Sequence, residues 1–220
     1  MASNFRQDDE RSPSDVIRHA VLLGDALQNI DLGEGDAESA LVPRPRNPWK
    51  LTVLQAPQLL LPGRMRQIPA DATHIAISLE GAWAIEASGL LQVEVRTIRD
   101  ALATLARAAD EFERIFTELI RAALETDLPT VVCTLVPARA SGLEQQRVTA
   151  TALSVFNDRI LRLAVAASLS IVELRLVCNE DADYASETLL SRDGVRKAAN
   201  VIRAALSDVS RPGGRMRVYF

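Results

Sequence analysis

Short apolar runs that alternate with longer amphipathic stretches are the feature that most constrains the fold of this 220-residue chain. Runs that are apolar along nearly their whole length are typical of strands buried on both faces. The chain has five of them, at residues 20–24, 50–55, 74–79, 130–136 and 170–174. Amphipathic stretches between such strands indicate crossover helices, which join parallel strands. The sequence therefore predicts a three-layer α/β fold with about five parallel strands.

The longest predicted helix covers residues 93–125. Its apolar residues recur at alternating spacings of four and three: Ile98, Leu102, Leu105, Ala109, Phe112, Phe116, Leu119 and Ala123. Such a helix spans roughly 45 Å, more than a short strand needs for cover, so we expect part of it to project. The heptad-like spacing suits either the chain's own sheet or a partner helix. Two further helices are predicted at 144–167, with Val148 on the apolar face, and at 192–206, with Ser191 as N-cap.

Composition favours a single domain. We predict a flexible, polar N-terminal arm at residues 1–15, one domain at 16–208 and a C-terminal tail at 209–220. A net charge of -4 and a pI near 5.3 argue against nucleic-acid and membrane-surface partners. The sequence has no apolar run typical of a signal peptide or membrane span, so we expect a cytoplasmic protein. Cys133 and Cys178 lie in apolar runs, which predicts buried thiols, and their spacing is not that of metal ligands. We expect neither a metal nor a cofactor.

Five short segments of the chain follow one another in a characteristic order and spacing. The first is residues 21–26, which include Gly24, Asp25 and Ala26 at the end of the first predicted strand. The others are residues 69–74, 130–134, 156–158 and 174–185. In order and spacing they resemble the SGNH subgroup of the GDSL-type lipases and esterases, over about residues 16–205. The resemblance implies a flavodoxin-like, SGNH hydrolase-like domain whose site follows the carboxyl ends of the strands.

The resemblance also implies a catalytic set that this chain lacks. The family has a serine nucleophile where this chain has Ala26, and a glycine near Gln58. It has an oxyanion-hole asparagine at Ala82, and a histidine near Leu189. A serine needs a base to accept its proton, and the oxyanion needs preorganised donors. The vestigial site positions are therefore Gly24, Asp25, Ala26, Gln58, Gly81, Ala82, Trp83 and Leu189, and we expect Trp83 and Gln58 to fill the cleft.

The histidine count tests this interpretation separately, because the chain contains only His19 and His74. Each precedes an apolar run, roughly 16 Å before Gly24 and roughly 20 Å before Gly81 at about 3.3 Å per residue. Both are therefore expected at the opposite edge of the sheet, as surface or strand-start residues. Acid or base work by carboxylates remains an alternative, with Asp25, Glu80, Asp181 and Asp183 as its candidates.

The leading prediction is a catalytically inactive hydrolase-like protein that binds, scaffolds or regulates a protein partner, either a second copy or an active paralogue. The alternatives are an SGNH-type esterase with altered or residual activity, and an esterase inactivated by an engineered serine-to-alanine change. The tail is a candidate partner-binding segment that can add as an edge strand, dock in a groove of another subunit or remain frayed; its residues are Arg215, Met216, Val218, Tyr219 and Phe220. The chain also has a cluster of basic residues: Arg44, Arg46, Lys50, Arg64 and Arg66. We expect these side chains to form a solvated surface or, alternatively, to bind an acidic partner.

Overall fold

The computed structural model describes residues 18–24, 27, 49–55, 67–136, 139, 142–187, 189–210 and 215–220. The described residues form one parallel sheet in the order β2-β1-β3-β4-β5-β6. Its strands are β1 (Arg18–Leu23), β2 (Trp49–Leu54), β3 (His74–Ile77), β4 (Thr130–Cys133), β5 (Ser170–Val172) and β6 (Val218–Tyr219). All five predicted strands are confirmed. The sixth strand comes from residues predicted as the tail, so the sheet has one strand more than expected.

Five α-helices lie in the described part of the chain. They are α1 (Gly81–Ala87), α2 (Ile98–Leu124), α3 (Leu143–Ala166), α4 (Leu174–Val177) and α5 (Arg192–Val209). Helix α2 begins five residues later than predicted, because the Thr97 hydroxyl accepts a hydrogen bond from the Asp100 amide and caps the helix there. The predicted cap of α5 is confirmed, since the Ser191 hydroxyl accepts from the Gly194 amide.

Two apolar clusters cover the two faces of the sheet. Helices α1, α2 and α3 pack on one face, where the ring of Phe112 stacks on that of Phe156 with centroids 4.9 Å apart. Helix α5 packs on the other face, with Ile202 and Leu206 fully buried. Because β1, β3, β4 and β5 are buried between these layers, their sequences are apolar along most of their length, whereas the edge strands β2 and β6 are only partly covered. The three-layer α/β/α, flavodoxin-like architecture is thereby confirmed.

The first turns of α2 extend beyond the cover of the sheet. Along its apolar stripe, Ala109 is fully buried, but Leu102 is 62% exposed and Ile98 is 81% exposed. The Phe112–Phe156 stack places Leu102 level with the beginning of α3, where Val148 is 46% exposed. The prediction that Val148 faces the core is therefore wrong, because α3 also begins beyond the covered part of the sheet.

Candidate functional site

Gly24 joins the end of β1 to the end of β3 at the carboxyl edge of the sheet. Its amide donates to the Leu54 carbonyl at 2.8 Å, and the Ser78 amide donates to the Leu23 carbonyl at 2.9 Å. The φ of Gly24 is +131°, and a Cβ there would lie 2.0 Å from the Ser78 carbonyl oxygen. Only glycine fits this close approach. The neighbouring predicted site residues Asp25 and Ala26 lie outside the described residues, as do Gln58 and the arginines at 44, 46, 64 and 66.

Helix α1 carries the predicted site residues that follow β3. A Cβ on Gly81 would lie 2.5 Å from the Val136 carbonyl oxygen, so the first turn of α1 touches the exit of β4. Ala82 is half-buried and carries no polar side-chain atom. Trp83 is also half-buried and packs against the apolar core on the α2 side of the sheet. The indole therefore belongs partly to the core.

A buried carboxylate lies at the exit of β5. Glu173 is 6% exposed and accepts from the Thr134 hydroxyl at 2.7 Å and from Arg175 Nε at 2.7 Å. Burial alone raises the pKa of Glu173, but the hydrogen bonds from Arg175 and Thr134 outweigh it and hold the pKa below its usual value. The carboxylate is thus charged and occupied, and it joins the ends of β4 and β5. This role was not predicted from the sequence, although a lone charge within the apolar run at residues 170–174 was a signal.

Asn157 on α3 joins that helix to the exit of β4. The side chain is fully buried. Its Oδ1 accepts from the Leu135 amide at 2.7 Å, and its Nδ2 donates to the Leu135 carbonyl at 3.3 Å. Both ends of the amide are therefore committed to the main chain that leaves β4.

Asp183, one of the carboxylates considered as an acid or base, forms a buried ion pair. It is 1% exposed, lies 2.8 Å from Lys197 Nζ and accepts from the Glu180 amide at 3.1 Å. Burial raises the pKa of this carboxyl, but Lys197 and the Glu180 amide outweigh that effect and hold it below its usual value. Asp181 lies at the surface, 3.2 Å from Arg139. The structure does not pair these two carboxylates for proton transfer.

Arg139 braces the loop that follows β5, a role that sequence analysis missed. Its guanidinium carbon lies 4.8 Å from the centre of the Tyr184 ring, and its Nη2 donates to the Asn179 carbonyl at 3.0 Å. The Tyr184 hydroxyl donates to the Cys178 carbonyl at 2.9 Å, and burial raises the pKa of Tyr184 to about 12. The phenol is therefore neutral near pH 7.

Leu189, the position at which the resemblance implies a histidine, sits in a tight turn of this loop. Its carbonyl accepts from the Ala185 amide at 2.9 Å, and its amide donates to the Ser186 hydroxyl at 3.3 Å. The side chain is 59% exposed. The turn thus presents an apolar group to solvent at the position for which the resemblance implies a histidine.

Both histidines lie at the amino edge of the sheet, as predicted, although neither is a surface residue. His19 in β1 is 1% exposed, with Nδ1 3.0 Å from Asp71 and Nε2 2.9 Å from the Thr52 hydroxyl. His74 begins β3, is 5% exposed and hydrogen-bonds Thr73 and Ser210. Neither imidazole reaches the carboxyl edge.

We expect His74 to make the protein lose stability between about pH 6.5 and pH 4. Burial, helped by the charge of Arg18, lowers the pKa of His74 from 6.5 to about 4. As the pH falls below 6.5, His74 becomes protonated in the unfolded chain but stays neutral in the folded chain. The resulting loss of stability is complete at about pH 4, where the imidazole of the folded chain is protonated as well. Allowing for solvent screening, urea unfolding should show a loss of about 2 kcal/mol over this interval. A His74→Gln variant that keeps the wild-type pH slope would contradict this assignment.

Within the described ranges, no group of three or more histidine, cysteine or acidic residues is arranged to hold a metal ion. Cys133 and Cys178 are both buried, as predicted, and burial raises the pKa of each thiol to about 12. None of the described helices is long and apolar enough to cross a membrane.

Several solved structures share this fold. A protein assigned as an SGNH hydrolase, from Slackia heliotrinireducens, matches with a TM-score of 0.56 and 12% identity over 86% of this chain and 99% of its own. An extracellular lipase from Streptomyces rimosus gives the same four values. A lipase from a goat rumen metagenome matches with a TM-score of 0.58 and 16% identity over 86% of this chain and 97% of its own.

No protein-family model matches the sequence, and no curated protein matches it. The likeness is thus one of structure at low identity, which establishes a fold and leaves activity open. The single parallel sheet with helices on both faces agrees with it. The chain has the fold of the SGNH hydrolases.

Proposed function

We propose that this chain is a catalytically inactive SGNH hydrolase-like protein that acts as a binding, scaffolding or regulatory subunit. The observation that carries the proposal is the position of the two histidines. Both are buried at the amino edge, while the loop after β5 presents Leu189 to solvent. A serine-type hydrolase needs an imidazole at the carboxyl edge to accept the proton of its nucleophile, and this chain has no third histidine to supply it.

Two buried carboxylates near the carboxyl edge support the same proposal. Glu173 and Asp183 are both held in the charged form by a cation, Arg175 for the first and Lys197 for the second. A general base works best with a pKa near the operating pH, whereas these two groups have pKa values below their usual range. They are therefore poor substitutes for the missing imidazole.

An ester hydrolysis assay tests the proposal directly. With p-nitrophenyl acetate as substrate, we expect the purified chain to release p-nitrophenol no faster than a heat-treated sample does. Turnover above that control, and lost in Asp25→Asn or Asp183→Asn, would favour the alternative of an esterase with altered or residual activity. A fold check on each variant by circular dichroism separates lost chemistry from lost structure.

Restoring the serine alone should not restore the enzyme. In an Ala26→Ser variant the new hydroxyl still lacks a base, and position 82 still lacks an amide donor. We therefore expect no covalent labelling by a fluorophosphonate probe above the level of the unchanged chain. The matched comparison is the triple change Ala26→Ser, Ala82→Asn and Leu189→His. Labelling of the single variant would show that a base and an oxyanion hole are present, and would defeat the proposal.

A binding subunit needs a partner, and we propose the C-terminal residues as its docking segment. Met216, Val218 and Phe220 are 40%, 50% and 78% exposed. Apolar side chains at alternate positions of a strand suit recognition by strand addition. Deletion of residues 215–220 should abolish partner binding in a co-purification experiment, and a deletion that leaves the partner bound would exclude this segment.

A further inference from the structure

Residues of β6 direct their backbone N–H and C=O groups alternately toward β5 and away from it. The carbonyls of Arg217 and Tyr219 accept from the Ile171 and Glu173 amides, each at 2.8 Å. Successive residues of a strand direct their N–H and C=O groups to opposite edges. The backbone groups of Val218 therefore point away from β5, and by the same alternation so do those of the flanking Met216 and Phe220.

The two faces of β6 differ in the same alternating way. Arg217 and Tyr219 are anchored on the α5 side, where Asp208 accepts from Arg217 Nη1 at 2.9 Å and from the Tyr219 hydroxyl at 3.3 Å. The other face carries the three exposed apolar side chains of Met216, Val218 and Phe220. Edge strands of monomers are usually blunted by charged residues or proline. Positions 216, 218 and 220 carry neither, so the shortness of β6 is what limits pairing at this edge.

We propose that β6 pairs antiparallel with β6 of a second copy of this chain, about a twofold axis at Val218, so that two six-stranded sheets join into one of twelve strands. This proposal rests on the proposed binding function and names its partner. Assembly and esterase activity are measured separately, so either proposal can fail while the other stands.

The register follows from which residues point outward. With the axis at Val218, this residue faces its own copy, and Met216 faces Phe220 of the second copy on both sides of the axis. Every outward residue then meets another outward residue, which is the hydrogen-bonded arrangement of an antiparallel pair. Methionine sulfur against an aromatic ring adds a favourable contact. An axis at Arg217 would instead place on the axis a residue whose carbonyl already accepts from the Ile171 amide of β5.

A cavity beside Met216 provides space for the partner's aromatic ring. It has a volume of about 380 Å³ and lies at the amino edge of the sheet, where Leu128, Leu169 and Met216 line it beside polar residues that include Asp127 and Arg215. In the proposed register, Phe220 of the second copy stands against Met216 at this cavity. Burying the benzyl group there supplies apolar contact that the strand pair alone lacks.

The expected dimer is weak. Three exposed side chains and one cavity fall short of the roughly 800 Å² per partner that a standard interface buries. We therefore expect a dimer that dissociates reversibly at micromolar concentrations. Sedimentation velocity of the full chain between about 1 and 300 μM should show the dimer fraction increase with concentration, and a monomer throughout this range would overturn the proposal.

Charge changes at Val218 test the axis itself. In Val218→Lys, two like charges oppose each other across the axis, and the same holds for Val218→Glu, so each variant alone should be monomeric at 300 μM. An equimolar mixture of the two should form a heterodimer, because lysine then faces glutamate. Val218→Thr is the matched control, since it keeps the β-branched shape and both backbone groups, and it should dimerise within tenfold of the wild type.

The charge experiment distinguishes a misfolded variant from an interface at another surface and from a wrong position of the axis. Thermal unfolding midpoints close to that of the wild type establish that both charged variants are folded, because position 218 is half exposed in the monomer. A dimer that survives Val218→Lys would place the interface elsewhere, for example on the exposed first turns of α2. Two monomeric variants that do not associate on mixing would overturn the axis at Val218.

Discussion

Gly24→Ala is expected to destabilise the fold by at least about 4 kcal/mol, or to prevent folding altogether. Alanine at this position must adopt a φ near +131°, which L-residues rarely do, and its Cβ would stand 2.0 Å from the Ser78 carbonyl oxygen. The atom that it meets belongs to the backbone at the end of β3 and cannot rotate away. The free energy of unfolding in urea, or the yield of folded protein if the variant is too unstable, measures the effect.

Gly89→Ala is the matched control, because it separates backbone strain from steric overlap. Gly89 also has a positive φ, +63°, but the nearest atom to a Cβ there is Gln92 Oε1 at 3.7 Å. We expect a cost of about 1 kcal/mol, the usual penalty for a left-handed alanine. Equal losses in the two variants would show that the contact between β1 and β3 is not what requires glycine at position 24.

Glu173→Ala is expected to cost about 3 kcal/mol at pH 7. The change leaves the Thr134 hydroxyl without its acceptor and the Arg175 guanidinium without its counter-charge, at a position that is 6% exposed. Removing one partner of a buried ion pair is strongly destabilising, although Arg175 is partly solvated and recovers some hydration. Because Glu173 joins β4 to β5, hydrogen exchange should accelerate first at the backbone amides that directly follow these two strands.

Glu173→Gln isolates the charge from the hydrogen bonds. Glutamine still accepts from Thr134, so we expect a loss near half of that in the alanine variant. The pKa of Glu173 lies below 4.5 in the folded chain, so its charge stabilises the fold above that pH, and this contribution disappears as the pH falls through the lowered value. The difference between wild type and Glu173→Gln should therefore shrink below about pH 4.5. A difference that is constant from pH 7 to pH 3 would refute the charged assignment.

Local sequence predicted the layers of the fold but not its last strand. The apolar runs of β1 to β5 are visible one at a time, because four of these strands are buried on both faces and β2 is half-buried. The alternation of Met216, Val218 and Phe220 is equally consistent with a docking segment and an edge strand. Which of these forms depends on pairing with β5, far away in sequence, and local pattern does not encode such pairing.

The candidate site was predictable to a similar extent. The absence of an imidazole from the carboxyl edge followed from the sequence, because only two histidines had to be placed and each begins an apolar run. The ion pairs of Glu173 and Asp183 did not follow. Lys197 reaches Asp183 from α5, and Thr134 reaches Glu173 from the neighbouring strand, so these networks exist only once the elements have packed.

We expect the two buried cysteines to react very slowly with thiol reagents. Because burial raises the pKa of both thiols to about 12, very little thiolate is present at pH 7.5, and the thiolate is the form that reacts. A cysteine introduced on the surface would therefore be labelled or crosslinked without removing Cys133 or Cys178. In Val218→Cys, oxidised glutathione, which is itself reduced in the exchange, should join the introduced thiols of two copies in a disulfide, so that a transient encounter between edges becomes a product that can be isolated.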